Sequence, residues 1–189
     1  MCRHGQTTGD IEDRYGGDYD DHLTEVGKQQ SMILTENLSD KGIEKVYVST
    51  KIRAIETAQM IVNNFYCEME VVTDLRERNQ YGILTAMVKS KAKEKFPELV
   101  EQLKDYKNTI EGAEPNDSFE MRILNSIYQI AKESQKVVAI ITHGGPIKTV
   151  LRQIEYHRDF KIEDCGYIEL NVENQNIQII KQKGIEPRD

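Results

Sequence analysis

The longest uninterrupted apolar run in the chain is Val137-Val138-Ala139-Ile140-Ile141. Five apolar residues in succession leave no polar face, the pattern of a central parallel strand covered on both sides. Val46-Tyr47-Val48-Ser49 predicts a second buried strand and Glu70 to Thr73 another short one. Tyr167 to Val172 and Ile177 to Lys181, separated by Glu173-Asn174-Gln175-Asn176, predict a hairpin near the C-terminal end.

Between these strands the apolar spacing turns helical. Leu23-Thr24-Glu25 opens a helix with Thr24 as its N-cap, Val26, Ile33, Leu34 and Leu38 as its apolar face, and an end before Lys41-Gly42. Thr50 is placed to cap a helix through about Asn63, with Ile52, Ile55, Ala58, Met60 and Ile61 on or near the buried side. Leu84 to Lys107 is helical but broken at Pro97. Asp117 with Glu120 resembles a capping box for a helix through about Ser134, striped by Phe119, Ile123, Ile127, Ile130 and Ala131. A last helix runs from Ile147 to about Ile154. Gly9 to His22 and Leu75 to Gly82 read as loops, and Glu111 to Asp117 as a turn. The interleaving of strands and helices, without an internal repeat or a low-complexity linker, predicts one α/β domain.

Length agrees: 189 residues suffice for one α/β domain with a core. A net charge of −7 disfavours nonspecific nucleic-acid binding and an anionic membrane surface, so an anionic substrate must meet a local basic pocket. Cys2, Cys67 and Cys165 are odd in number and widely spaced, which points to reduced cytosolic thiols rather than a zinc ribbon or disulfide framework. Arg3 and His4 stand where the apolar part of a signal peptide would begin, and Val137 to Ile141 is too short to cross a bilayer.

Candidate chemistry gathers at two His-Gly steps. Arg3-His4-Gly5 places a fixed cation, a titratable imidazole and a permissive backbone at one point. An arginine fork binds phosphate oxygens bidentately, and an imidazole that is partly neutral at pH 7 can act as a nucleophile. Thr142-His143-Gly144-Gly145 follows the central strand directly, where α/β folds bind ligands and the amides of a helix start favour an anion. Taken alone, His4 is more commonly a surface histidine and His143 a satisfied structural one; together, at strand ends, they point to a shared site.

At this point the sequence resembles the histidine phosphatase superfamily, whose members include the cofactor-dependent phosphoglycerate mutases. Arg3-His4-Gly5-Gln6-Thr7 resembles the opening signature of that family. Leu23-Thr24-Glu25-Val26-Gly27-Lys28-Gln29 is similar to its leucine-threonine-x-x-glycine-x-glutamine segment. Ser49 to Ala58 resembles its serine-x-x-x-arginine-alanine-x-x-threonine-alanine helix start. Glu77 with Tyr81-Gly82 resembles its acidic loop, and Thr142 to Gly145 its second histidine.

The resemblance implies a three-layer α/β/α fold with a mostly parallel central sheet, over a single domain of residues 1–189 with 84–117 as a helical insert near the substrate mouth. It implies that His4 attacks phosphorus and becomes a transient phosphohistidine. Arg3, Arg53, His143 and Gly144 then surround the phosphoryl group, and Glu77 protonates the leaving oxygen before activating water. Phosphoryl transfer spreads charge over the equatorial oxygens, which fixed cations stabilise, so no metal and no cofactor is expected. The partner expected is a small phosphorylated metabolite, met in the cytoplasm.

Some positions keep a second reading. Glu77 is flanked by Arg76 and Arg78 and reads equally as half of a surface ion pair; Arg78-Asn79-Gln80 puts it one residue farther from Tyr81-Gly82 than is usual in the family. Arg14, Tyr15 and Gly16 line the substrate mouth or belong to a mobile loop. Ala86 stands where a glycine is common, and Asp10 replaces an asparagine often seen there. Lys89, Lys91, Lys93 and Lys95 read as a solvated helix face, and His22 and His157 as solvated side chains. Only Met1 and Cys2 precede Arg3, so the apolar central strand that the family places there is expected to be missing, through truncation or a misassigned start. Its absence would leave neighbouring strands with unpaired backbone. Four functions follow in order: a phosphatase of small phosphate monoesters, a phosphoglycerate mutase, a weak phosphate-binding or interaction module, and last a metal site at His4 and His143.

Overall fold

The structure is a computed structural model that describes residues 1–133, 137–154 and 159–188. Its framework is a six-stranded sheet. The strands are β1 (Cys2–Arg3), β2 (Lys45–Val48), β3 (Glu68–Val71), β4 (Val138–Thr142), β5 (Asp159–Glu173) and β6 (Asn176–Arg188). Their order across the sheet is β3-β2-β4-β1-β5-β6. The first four lie parallel, and β5 and β6 join antiparallel. This is the three-layer, mostly parallel architecture that the resemblance implies. β4 sits between β2 and β1, and Ala139 to Thr142 are buried, which explains its lack of a polar face.

The helices are α1 (Thr8–Ile11), α2 (Glu25–Leu38), α3 (Ile52–Phe65), α4 (Lys89–Lys95), α5 (Pro97–Gln102), α6 (Asn116–Glu133) and α7 (Gly144–Ile154). Strand alternation sends Val46, Val48, Ala139 and Ile141 to one face, where Leu34 and Leu38 of α2 and Ala54, Ala58 and Ile61 of α3 cover them. Tyr47 and Ile140 point to the other face and meet Ile130 of α6. Phe119, Ile123 and Ile127 of α6 join Ile147, Val150 and Leu151 of α7 over β5 and β6. Residues 84–117 build a small core of their own from Leu84, Ala92 and Ile110, with α5 beginning at Pro97, where its missing N–H costs nothing.

Several elements depart from the sequence reading. Gly9 to His22 is not all loop: a Thr7–Asp10 capping box starts the four-residue α1. On α2 Thr24 is the N-cap as expected, but Val26 and Ile33 are exposed. The buried stripe is Gly27, Ser31, Leu34, Thr35 and Leu38, because small polar residues let α2 approach the loop after β1 closely. Thr50 does not cap α3; its N-cap is Lys51, and the Ile52 amide is met by Asp20 Oδ1 at 3.0 Å. β3 begins at Glu68 and Thr73 already belongs to a 3-10 turn. α6 starts at Asn116, so Asp117 lies inside its first turn rather than at its cap. α7 begins at Gly144, three residues ahead of Ile147. The hairpin is far longer than its apolar segments, turning at Asn174-Gln175, both at positive φ, as a two-residue hairpin turn requires. Ser134 and His157 lie outside the described residues.

The strand expected to be missing is present as two residues. Cys2 and Arg3 register with Ile141 and Thr142 of β4, and Cys2 with Tyr167 of β5. Met1 adds backbone bonds to Ile168 in both directions. Beyond Met1 an apolar groove of about 600 Å³ lies between residues of β4 and β5, lined among others by Leu38, Ile130, Ile140 and Leu170.

Candidate active site

The C-terminal ends of β1 and β4 lie side by side and carry the two histidines. The His4 amide donates to Thr142 O at 3.1 Å, and its carbonyl accepts from Cys165 N at 3.1 Å. Cys165 sits in an irregular stretch of β5, with φ +58. Gly5 follows because nothing larger fits: a Cβ there would lie 2.4 Å from Gly27 O on α2. The His4 and His143 ring centroids are 5.1 Å apart at 65°.

His4 is 6% exposed and its Nδ1 lies 2.8 Å from Gly5 O. A carbonyl only accepts, so Nδ1 carries the proton and Nε2 presents its lone pair. Arg53 Nε donates to that Nε2 at 3.1 Å. Burial, then the charges of Arg53 and Arg3, hold the imidazole well below its usual pKa, so it stays neutral at physiological pH. His143 is fully buried, with Nε2 2.7 Å from Ser49 Oγ, and Nδ1 has no hydrogen-bond partner among the described residues. Burial and the nearby Arg53 and His4 push its pKa down as well.

Two arginines flank the histidines. Arg53 is 4% exposed on the first turn of α3, which burial of Ala54, Thr57 and Ala58 fixes against the sheet. Arg3 Nη1 donates to Ile162 O at 2.6 Å and its Nη2 pairs with Asp164 at 2.9 Å. Burial raises the Asp164 carboxyl against the pull of Arg3. Gly144 stands beside Arg3, at the start of α7.

Among the described residues Glu77 forms no surface ion pair, and Arg76 pairs with Asp18 and Asp74 instead. Glu77 Oε2 accepts from Gly145 N at 3.0 Å and its Oε1 from Arg78 N at 2.9 Å. Its backbone carbonyl is held by Arg122, which also clasps the carbonyls of Asp74 and Arg76 and the Glu114 carboxylate. The additional residue before Tyr81 is absorbed by Arg78, which turns inward and donates to Glu114 O, Tyr106 O, Asn108 O and Asn116 Oδ1.

Arg3, His4, Arg53, Glu77, Gly144 and Gly145 line one cleft of about 860 Å³. Arg14 and Gly16 are at its rim, where Arg14 pairs with Glu12 and donates to Ala86 O. Tyr15 is not in the lining; it stacks on Tyr81 at 4.8 Å and packs against the 84–117 core. Tyr81 does line the cleft, its phenol pushed up to about 12 by burial and Glu77. Lys91, Lys93 and Lys95 are exposed, Lys89 pairs with Asp13, and His22 bonds Glu56. Sequence reading missed Ser49, Asp21, Asp164 and Arg122. Ser49 lay within a recognised motif; the others carry no local pattern, because their partners are far away in sequence.

The arrangement offers a lone pair on a buried neutral imidazole backed by the buried His143 ring, two guanidiniums, and a carboxylate on the facing loop. That set suits attack on an anionic electrophile with protonation of a departing oxygen. The model of the histidine phosphatase superfamily (branch 1) matches residues 1–183. The chain is 32% identical over 160 residues to a metal-independent phosphoserine phosphatase of Arabidopsis thaliana, covering 82% of this chain and 67% of that protein. It is also 32% identical over 158 residues to the phosphoglycerate mutase-like protein 4 of the same plant, covering 79% and 67%. Among solved structures, YhfR of Bacillus stearothermophilus superposes with a TM-score of 0.85 at 21% identity, over 95% of this chain and 93% of that one. This chain therefore belongs to the histidine phosphatase superfamily.

Proposed function

We propose that this protein hydrolyses small phosphate monoesters without a metal, through a phosphohistidine on His4 Nε2. The observation that carries the reading is the tautomer: Gly5 O fixes the proton on Nδ1 and so puts the lone pair on Nε2, where it accepts from Arg53 Nε until phosphorus takes that place. In the first step Nε2 forms a bond to phosphorus as the ester P–O bond breaks, and Glu77 gives its proton to the leaving oxygen. In the second, Glu77 takes a proton from water, whose oxygen attacks phosphorus and frees His4 with inorganic phosphate. Arg3, Arg53, His143 and the Gly144-Gly145 helix start hold the equatorial oxygens throughout. The substrate is a small phosphorylated metabolite, and phosphoserine is the first to try, because one relative is a metal-independent phosphoserine phosphatase. Cys2, Cys67 and Cys165 are free thiols, in keeping with a cytoplasmic setting.

The test is rapid acid or alkaline quenching with a 32P-labelled ester in the presence of chelator. The expected result is turnover with a label on protein that survives base, is lost in acid, and is absent from His4→Ala. Turnover without such a label would discard the covalent step. Saturable phosphate binding with no turnover on a panel of esters would favour a binding module instead.

A further inference from the structure

Arg53 is held almost entirely by protein. Its Nη1 donates to Asp21 Oδ1 at 2.8 Å and to Tyr19 O at 2.7 Å, its Nη2 to Gly17 O at 2.9 Å, and its Nε to His4. A guanidinium has five N–H donors, so four are committed and one, on Nη2, is left for a phosphoryl oxygen. Three of those four contacts are to residues 17–21, and Asp21 is the one charged group among them. Asp21 is 8% exposed, and its other oxygen accepts from Tyr19 Oη at 3.2 Å. A buried carboxylate bonded on both oxygens is a fixed object, and it sets the rotation of the guanidinium that it holds.

Resting on the phosphatase reading above, we propose that Asp21 is a positioning residue for the reaction: it orients the Arg53 guanidinium so that Nε faces His4, and its charge tempers the field of Arg53 on the imidazole. Without that anchor Arg53 keeps only the carbonyls of Gly17 and Tyr19 and the His4 imidazole as partners, none of them charged, and its fork can rotate toward the cleft. Without that negative charge, the positive potential at His4 rises. The charged and titratable groups facing His4 are Arg3 from β1, Arg53 from α3 and His143 from the end of β4, with Glu77 across the cleft. Those at Asp21 are Arg53 and Tyr19, with Asp10 near the Tyr19 phenol. Asp21 is thus the carboxylate in contact with Arg53 among the described residues, and Asp164 has the equivalent place at Arg3.

The two parts of the role separate by substitution. Asp21→Ala removes both the acceptor and the charge; Asp21→Asn keeps an acceptor oxygen and removes the charge. On an aryl phosphate, Asp21→Ala is expected to lower kcat by roughly ten- to a hundredfold through misorientation. Asp21→Asn is expected to restore most of kcat. In Asp21→Asn the acid limb of kcat/KM moves to lower pH, by roughly half a unit, because a more positive surrounding disfavours the imidazolium. A 15N titration of His4 in the full chain, without substrate, reads the same shift directly.

A wild-type acid limb and His4 titration in Asp21→Asn would overturn the proposal, even if the protein had lost stability, since a merely structural acid does not move either. An unchanged kcat in folded Asp21→Ala would overturn the orienting part. Should Asp21→Ala fail to fold, Asp21→Asn and the His4 titration decide alone. If wild type and His4→Ala are equally inactive, the phosphatase reading fails, and the titration still tests what Asp21 does to His4.

Discussion

Ser49 Oγ lies 2.7 Å from His143 Nε2, and both side chains are completely buried. Ser49 follows β2 and His143 follows β4, so the bond ties two neighbouring strand ends together at the site. It also fixes the imidazole. With Nε2 met by the hydroxyl, Nδ1 is left buried without a partner among the described residues. Ser49→Ala is expected to destabilise the fold by about 1–3 kcal/mol, the usual cost of leaving a buried polar atom unmet. It is also expected to lower kcat about tenfold as the ring gains freedom. Urea denaturation and steady-state kinetics on the same preparation check the two effects.

The two buried histidines make stability depend on pH with a definite sign. Both are neutral in the native state, with pKa values pushed well below 6.5, whereas the unfolded chain protonates them near 6.5. The unfolded state therefore binds more protons just below that pH, and stability falls as pH falls. Each histidine adds up to about 1.4 kcal/mol per pH unit below about 6.5, until its folded pKa is reached. Denaturation midpoints between pH 7 and 5 would show the slope, and His143→Gln should remove close to half of it. The same depression places the acid limb of kcat/KM below the pH at which free imidazole titrates.

Gly145 permits the approach of Glu77. A Cβ at Gly145 would fall 2.0 Å from Glu77 Oε1, so Gly145→Ala must move the carboxylate or the start of α7. Turnover should drop by roughly a hundredfold or more, the usual worth of a positioned acid. The loss should be greatest for alkyl esters, whose poor leaving oxygen needs the proton, and least for nitrophenyl phosphate. Comparing the two substrate types in Gly145→Ala and Glu77→Gln tests the role of the acid; equal losses on both would remove Glu77 from that role.

Ala86 adopts φ +65, a left-handed backbone that penalises any Cβ. Its amide and carbonyl are both used, by Tyr15 O and by Arg14, so the conformation is held in place by the loop around the cleft rim. Ala86→Gly is expected to stabilise the protein by about 1 kcal/mol, since relief of the Cβ clash exceeds the added freedom of the unfolded chain. A higher denaturation midpoint with an unchanged m-value is the signature to seek.

What could be read from the sequence alone is what is local. The unbroken apolar run of Val137 to Ile141 sufficed to predict the central strand, and the stripe of Phe119, Ile123, Ile127 and Ile130 the core face of α6. Five short motifs carried the family and named Arg3, His4, Arg53, Glu77 and His143, all of which the fold gathers around one cleft or its floor. Their chemistry is written in residue type and spacing, and backbone periodicity is enough to place them at strand ends and helix starts. Tertiary structure decided the rest, because it depends on which distant groups meet. No pattern within α2 distinguishes exposed Val26 and Ile33 from buried Ser31 and Thr35; the close packing of Gly27 against Gln6 does. The proton on His4 Nδ1 is set locally by the adjacent Gly5 carbonyl, but the neutrality of both histidines and the grip of Asp21 on Arg53 follow from burial and from contacts spanning tens of residues. Such contacts form only once the chain has closed on itself, and they hold the side chains of the cleft in one arrangement.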